Sequence, residues 1–252
     1  MPWVHGAVRV ALSIQCAAAA GAVLNSGSAL NTFLFHDLHI ADPILRELDR
    51  GVACALVLAA ISCVFARGKG LFVAIAAWFL LESLLSAYNG GYFAAPLAPF
   101  SRAVRYLAPL ALIALLDEEE KRAVRLLAWG SALVFAAHGI EAVLANPRFV
   151  DFLIVTVDRV SGMRMSQSAA EVELLLIGLV DLGLAILVIK RPCRSVWIYM
   201  AFWGFTTAVM RSIYYGPEIG WHHTLVRIFN GGAPLLLLQG RTDRWLEPSS
   251  PR

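Results

Sequence analysis

The chain has 252 residues, of which 59% are hydrophobic and 15% charged, and its net charge is +3. Soluble domains have about 25% charged and about 45–50% apolar residues, so this composition excludes an ordinary soluble protein and predicts a membrane protein. The small charge contains no basic block, which excludes a nucleic-acid partner.

Apolar runs in chain order predict eight transmembrane helices. They cover residues 7–35, 51–66, 71–93, 101–116, 123–145, 169–189, 195–215 and 219–238. A segment rich in charge and histidine, 36–50, follows the first run. Pro96 and Pro99 are expected to break the helix before the fourth run. The apolar residues of 148–160 recur on one side, which predicts an amphipathic helix at the membrane interface.

The first run allows a second interpretation. Arg9, the apolar stretch after it and the small residues 26–29 also resemble a secretory signal. We expect this segment to be retained as a transmembrane helix, because an internal repeat needs it.

Comparison of the chain with itself predicts a tandem duplication. A shift of 125 residues aligns several landmarks, and a shift of 116 aligns residues 7–9 with 123–125. The aligned pairs are Lys69 with Arg194, Trp78 with Trp203, Gly91 with Gly216, Arg102 with Arg227, and Ala-Pro-Leu at 108–110 with 233–235. Recurrence of a helix-breaking proline at matched depth is unusual in transmembrane helices. We therefore expect a first four-helix repeat at 1–116, a charged linker at 117–122, a second repeat at 123–241 and a tail at 242–252.

The basic residues predict the orientation. More than half of the lysines and arginines lie in the turns that eight helices would place on one side, including the linker and the tail. Short cytoplasmic loops are enriched in basic residues. Both termini are thus expected in the cytoplasm of a multi-pass cell-membrane protein, and the two repeats are expected to be parallel.

The second half resembles the DoxX/DoxD-like membrane proteins. The resemblance lies in Ala-Val-Arg at 123–125, Ala-His-Gly-Ile-Glu-Ala at 137–142 and Asn-Pro-Arg-Phe-Val-Asp-Phe at 146–152. It extends over about 123–241 and more faintly over the first half. That family has four helices, and some members are linked to quinone-coupled sulfur oxidation or to membrane redox assemblies. This chain departs from the family by being doubled. The resemblance implies a redox partner or quinone ligand, but no catalytic residue of the family matches this chain. An accessory subunit is expected rather than an independent enzyme.

Polar side chains within the predicted spans point to a site. Charges at membrane depth are costly and usually face the bundle interior or a watery cavity. The spacing of Trp78, Glu82, Ser86 and Asn89 places them on one face of a helix. We predict a ligand site in the outer leaflet formed by nine residues: Glu82, Ser86, Asn89, His138, Glu141, Arg211, Tyr214, His223 and Arg227.

The charges of this site predict its ligand. Glu141 is expected to neutralise Arg211 or Arg227, which leaves about one positive charge for a quinone-like or lipid-like ligand. Structural roles stand beside this one: the arginines could extend to the interface, and the glutamates could hold helices together. His138 is expected to hydrogen-bond rather than bind haem, and no metal site is expected.

Three classes of function remain. The first is a component of a membrane redox system with a quinone- or lipid-like ligand. The second is a scaffold or assembly factor without chemistry, and the third is a small-solute transporter. No nucleophile–base pair or phosphate-binding loop supports an independent hydrolase or kinase.

Overall fold

The computed structural model describes residues 2–65, 68–90 and 93–239, and all regular elements in these ranges are helical. In chain order they are α1 (Pro2–Ser26), α2 (Ala29–His36), α3 (Asp42–Phe65), α4 (Lys69–Asn89), a 3₁₀ turn (Ala95–Leu97), α5 (Ala98–Ser101), α6 (Ala103–Leu116), α7 (Glu120–Val143), α8 (Pro147–Ser161), α9 (Gln167–Lys190), α10 (Arg194–Tyr215), α11 (Pro217–Leu225) and α12 (Ile228–Gln239). The predicted tail at 242–252 lies outside the described residues, as do Gly91 and the end of the predicted second repeat at Arg241.

Six helical segments of the described chain are long and apolar enough to cross a membrane. They are Trp3–His36, Asp42–Phe65, Lys69–Asn89, Ala95–Leu116, Glu120–Val143 and Gln167–Lys190. Large apolar side chains project outward from them: Leu58 is 64% exposed and Phe65 78% exposed. Lipid is the environment that suits such a surface. The fold is that of an all-α, multi-pass membrane protein.

The seventh and eighth predicted spans differ from these six segments. The seventh coincides with α10, which has 22 residues but is less apolar because it contains Arg211 and several tyrosines, tryptophans and threonines. The eighth is divided into α11 and α12, of 9 and 12 residues. A crossing needs about 20 residues, so neither helix is long enough alone.

The first predicted span is interrupted between α1 and α2. Gly27 adopts φ +74°, a left-handed conformation that glycine accepts readily. Ser28 then caps α2, and its Oγ accepts a hydrogen bond from the Asn31 backbone N–H at 3.0 Å. The chain therefore changes direction where the sequence predicted one continuous helix.

Two further boundaries lie earlier than predicted. The charged segment expected at 36–50 is shortened, because α3 begins at Asp42 and Arg46 bonds back to Asp42 one turn earlier. Helical structure before α6 begins at Ala95, whereas a break was expected over 94–100. Pro96 and Pro99 lie in the first turns of short helices, where a missing N–H is tolerated.

The predicted linker and the predicted interfacial helix also have different bounds in the structure. The predicted linker 117–122 is reduced to 117–119, because α7 begins at Glu120, and Glu118 adopts φ +61° in the turn. The helix predicted at 148–160 is α8, whose N-cap Asn146 accepts a hydrogen bond from the Arg148 N–H at 3.1 Å.

The helices pack in similar pairs. α1 packs along α3 and α7 along α9, while α4 packs on α6 and α10 on α12. α6 also packs along α7, and α1 contacts α11 and α12. Glycines allow close crossings: a Cβ on Gly178 would lie 2.7 Å from the Gly139 carbonyl oxygen. Small residues at crossings are typical of membrane helix bundles, where close van der Waals packing replaces the hydrophobic effect.

Candidate functional site

A cavity of about 630 Å³ lies at the end of the bundle where α1, α4, α7 and α10 all finish. The N-terminal part of α6 and the end of α11 close its other sides. All nine residues of the predicted ligand site line it: Glu82, Ser86, Asn89, His138, Glu141, Arg211, Tyr214, His223 and Arg227. Their binding role remains a prediction, but the structure brings them to one place.

In the first half, the cavity residues hold α2 against α4. The Glu82 carboxylate accepts hydrogen bonds from the backbone N–H groups of Ala29 at 3.1 Å and Leu30 at 3.2 Å. The Asn89 side-chain amide donates to the Ala29 carbonyl at 2.8 Å. Glu82 therefore satisfies two of the unpaired N–H groups at the start of α2. This helix-capping role differs from the ligand contact predicted for it.

In the second half, the Glu141 carboxylate contacts two side chains that are close to it in sequence. His138 Nδ1 lies 3.2 Å from one carboxylate oxygen, and Asn146 donates to the other at 3.3 Å. The Glu141 residue is only 8% exposed. Across the described residues it forms no ion pair with Arg211 or Arg227, so the predicted counter-ion pairing is not the one observed. A carboxylate three residues from a histidine on the same helix is the closer partner.

Arg211 and Arg227 make contacts of a different kind. The Arg211 guanidinium lies over the Phe152 ring of α8 at 4.5 Å, a cation–π contact. Arg227 Nη1 donates to the His223 carbonyl at 2.6 Å. Neither contact neutralises the charge, so both arginines bring their positive charge to the cavity.

Aromatic rings form part of the same wall. Tyr214 lies against Phe152 with ring centroids 5.4 Å apart, and His223 lies 4.6 Å from the Tyr215 ring. The Tyr214 carbonyl accepts a hydrogen bond from Arg159 of α8 at 2.8 Å. The two Tyr214 contacts hold α8 against the end of α10, and the His223 contact holds α11 there.

Three arginines outside the predicted site also line the cavity: Arg102, Arg105 and the exposed Arg148 of α8. Arg102 bonds the Ser86 hydroxyl, and it donates to the Glu82 carbonyl at 3.4 Å. Arg105 lies one turn further along α6, and its Nε is buried with no hydrogen-bond partner. The match of Arg102 to Arg227 in the internal alignment was the sequence signal for the first. For Arg105, the available signal was its spacing from Arg102, which places both arginines on one face of a helix.

The sequence did not single out Asp49. Its buried carboxylate accepts hydrogen bonds from the Ser28 hydroxyl at 2.6 Å and the Asn31 amide at 2.6 Å. Because Ser28 and Asn31 flank the start of α2 and Asp49 lies in α3, these contacts tie α2 to α3. Asp49 was assigned to a loop at 36–50, which hid its position inside α3.

An apolar pocket of about 110 Å³ adjoins the cavity between α7, α8, α9 and α10. Four residues line both spaces: His138, Phe149, Arg211 and Arg227. Leu153, Leu174 and Ile177 contribute to its apolar wall. Asp181 also lines it, and its Oδ1 has no hydrogen-bond partner. The site thus combines a cationic space with an apolar one.

The described residues assemble no group of three or more histidine, cysteine, aspartate or glutamate side chains that could hold a metal ion. What the cavity provides is positive charge, hydrogen-bond donors and aromatic surface. Comparison of the chain with protein-family models, curated proteins and solved structures finds no match.

Proposed function

We propose that this multi-pass membrane protein binds an amphiphilic ligand, quinone-like or lipid-like, at the end of its helix bundle. The polar head would occupy the arginine-lined cavity, and the apolar part would extend into the adjoining pocket. The observation that supports this proposal is the shared wall of His138, Phe149, Arg211 and Arg227 between the two spaces. Such an arrangement suits a molecule with one polar and one apolar end.

We also propose that the protein is an accessory component of a membrane redox system. The support for this role is the DoxX/DoxD-like resemblance of the second half, and a quinone would then be the ligand. A non-catalytic scaffold and a small-solute transporter are the alternatives. Recovery of a bound quinone would favour the redox role, whereas a purified protein without any bound amphiphile would favour the scaffold.

The proposed architecture is two parallel four-helix repeats, with α10 and the α11–α12 pair completing eight crossings. Matched positions support it. Lys69 and Arg194 are the first residues of α4 and α10, and Pro109 and Pro234 each lie within a helix that follows an arginine. The similar packing of α1 on α3 and of α7 on α9 supports it as well.

A pocket-filling variant tests the proposed function. Ile177→Trp would place a large ring in the apolar pocket, so less ligand should be recovered when the full-length protein is purified in mild detergent. The extracted amphiphiles are identified by mass spectrometry, and any quinone by its absorbance. Val180→Trp is the matched control, because Val180 lies on the same helix and is 45% exposed. Equal ligand recovery from both variants would contradict the proposal.

A further inference from the structure

We infer that the cavity recognises a phosphate ester, so that the ligand's head is a phosphate monoester or diphosphate on an apolar chain. This inference rests on the proposed amphiphile binding and names the chemistry of the head. Five arginines line the cavity: Arg148, which is exposed on α8, and four whose guanidinium groups come from different parts of the chain. These four are Arg102 and Arg105 near the start of α6, Arg211 at the end of α10, and Arg227 between α11 and α12.

None of these four arginines forms an ion pair with a protein carboxylate in the described ranges. Arg102 bonds a serine hydroxyl and a backbone carbonyl, and Arg227 bonds a backbone carbonyl. Arg211 lies over an aromatic ring. Arg105 has no side-chain hydrogen bond, and its buried Nε is left unpaired. A buried donor without a protein partner is rare in folded proteins, and at this cavity wall a ligand oxygen could accept from it.

The two carboxylates that line the cavity already have protein partners other than the arginines. Both oxygens of Glu82 accept from the N–H groups at the start of α2, and both oxygens of Glu141 contact His138 and Asn146. Apart from the exposed Arg148, the lining has four guanidinium groups and two carboxylates, which is a surplus of two positive charges. Unbalanced charge within a membrane helix bundle is costly. The ligand is therefore expected to bring about two negative charges.

A phosphate monoester satisfies this requirement better than the other heads. It carries about −1.5 to −2 charge at neutral pH and offers three acceptor oxygens. Arginine forks bind phosphate oxygens in pairs of parallel hydrogen bonds. A carboxylate brings one charge and two oxygens, and a neutral quinone brings no charge. Free phosphate has the same head chemistry, but it would leave the adjoining apolar pocket unused.

Binding to the delipidated full-length protein in detergent tests the inference by native mass spectrometry and thermal shift. The probes are dodecyl phosphate, dodecanoate, a short-chain ubiquinone, inorganic phosphate and pyrophosphate. Dodecyl phosphate should bind at least about tenfold more tightly than dodecanoate or the quinone, because it forms more charge-assisted hydrogen bonds. It should also bind more tightly than either inorganic anion, because only it fills the apolar pocket.

Arginine variants supply the second arm. Arg105→Gln should weaken dodecyl phosphate binding about tenfold or more, and Arg105→Lys should weaken it less, since lysine keeps the charge but loses the fork. Arg46→Gln is the control, because Arg46 is exposed at the start of α3 and is not among the residues that line the cavity. If Arg105→Gln does not fold, dodecyl phosphate binding is compared between the unmodified protein and Arg105→Lys, provided that this variant has a normal melting temperature.

The outcomes separate the two proposals. Tighter binding of dodecanoate or the quinone, unchanged in Arg105→Lys, overturns the phosphate inference and leaves amphiphile binding intact. If inorganic phosphate or pyrophosphate binds as tightly as dodecyl phosphate, the site binds a free anion. That result overturns the claim that the phosphate is attached to an apolar chain. Failure of all five probes to bind overturns both the phosphate inference and the proposed function.

Discussion

At the scale of single residues, the charged groups of the cavity have two different roles. Glu82 and Glu141 each use both carboxylate oxygens to satisfy protein donors. The four arginines contact only neutral groups in the described part of the chain. The glutamates therefore hold the cavity wall together, whereas these arginines form no ion pair in the described part of the chain.

Removal of the Glu82 carboxylate should destabilise the protein without changing ligand chemistry. In Glu82→Ala the N–H groups of Ala29 and Leu30 lose their acceptors, which should cost about 2 kcal/mol. The melting temperature in detergent should fall, and Glu82→Gln should fall less because its amide oxygen still accepts one bond. Glu47→Ala is the control, since Glu47 is exposed and bonds only Arg50 nearby. An unchanged melting temperature in Glu82→Ala would show that α2 does not depend on this cap.

At the scale of helices, the site depends on interruptions. α1 gives way to α2 at Gly27, α5 to α6 at Arg102, and α11 to α12 around Arg227. Each interruption frees backbone groups that a continuous helix would satisfy, and irregular backbone at membrane depth is tolerated where it is buried or lines a cavity. Arg102 and Arg227 lie at two of these interruptions and line the cavity, so the breaks in the helices help to form the arginine-lined wall.

The crossing of α10 and α12 should be intolerant of any side chain at Gly204. A Cβ there would lie 2.4 Å from the Asn230 carbonyl oxygen and 2.7 Å from the Gly231 nitrogen. Because both are backbone atoms, Gly204→Ala should separate the helices and lower stability by about 2 kcal/mol or more.

Gly232→Ala is the matched control for this crossing. Gly232 lies on α12, and a Cβ added there would meet no atom within 4 Å. Its melting temperature in detergent should stay near that of the unmodified protein or rise slightly, because alanine favours the helix. Equal melting temperatures for Gly204→Ala and Gly232→Ala would contradict the close crossing.

At the scale of the whole molecule, the cavity occupies one end of the bundle. The ends of α1, α4, α7 and α10 all meet there, and the charged turn between α6 and α7 is formed by 117–119. If both termini are cytoplasmic, this turn is cytoplasmic as well, and the cavity faces the opposite side. Orientation thus decides from which side a ligand's polar head enters.

Single-cysteine labelling measures the orientation. Asp42 and Glu119 are both exposed, and serine replacement of the exposed Cys54 and Cys193 removes the accessible natural thiols. In intact cells, an impermeant maleimide should label Asp42→Cys, while Glu119→Cys should react only after the membrane is opened. The reverse pattern would invert the orientation. Labelling of both from the same side would exclude the eight-crossing topology.

The sequence alone determined the membrane class and the set of polar residues that meet at one end. Composition shows that lipid must cover the apolar surface. Helical periodicity and depth place Glu82, Ser86 and Asn89 on one face, and the structure does set them in one cavity with the six predicted residues of the second half. The shared face follows from the spacing of residues along a single helix, and that spacing can be read directly from the sequence.

Only the tertiary structure decided which groups pair. The capping of α2 by Glu82, the contact of Glu141 with His138 and Asn146, and the unpaired Nε of Arg105 depend on how neighbouring helices are placed laterally. So does the apolar pocket beside the cavity. Spacing within a helix specifies a face but not the neighbour that the face meets, because helix crossings are set by packing between distant segments. From Arg211, Arg227 and Glu141 the sequence predicted one surplus positive charge, and the folded chain adds Arg102, Arg105 and Arg148 to the cavity lining.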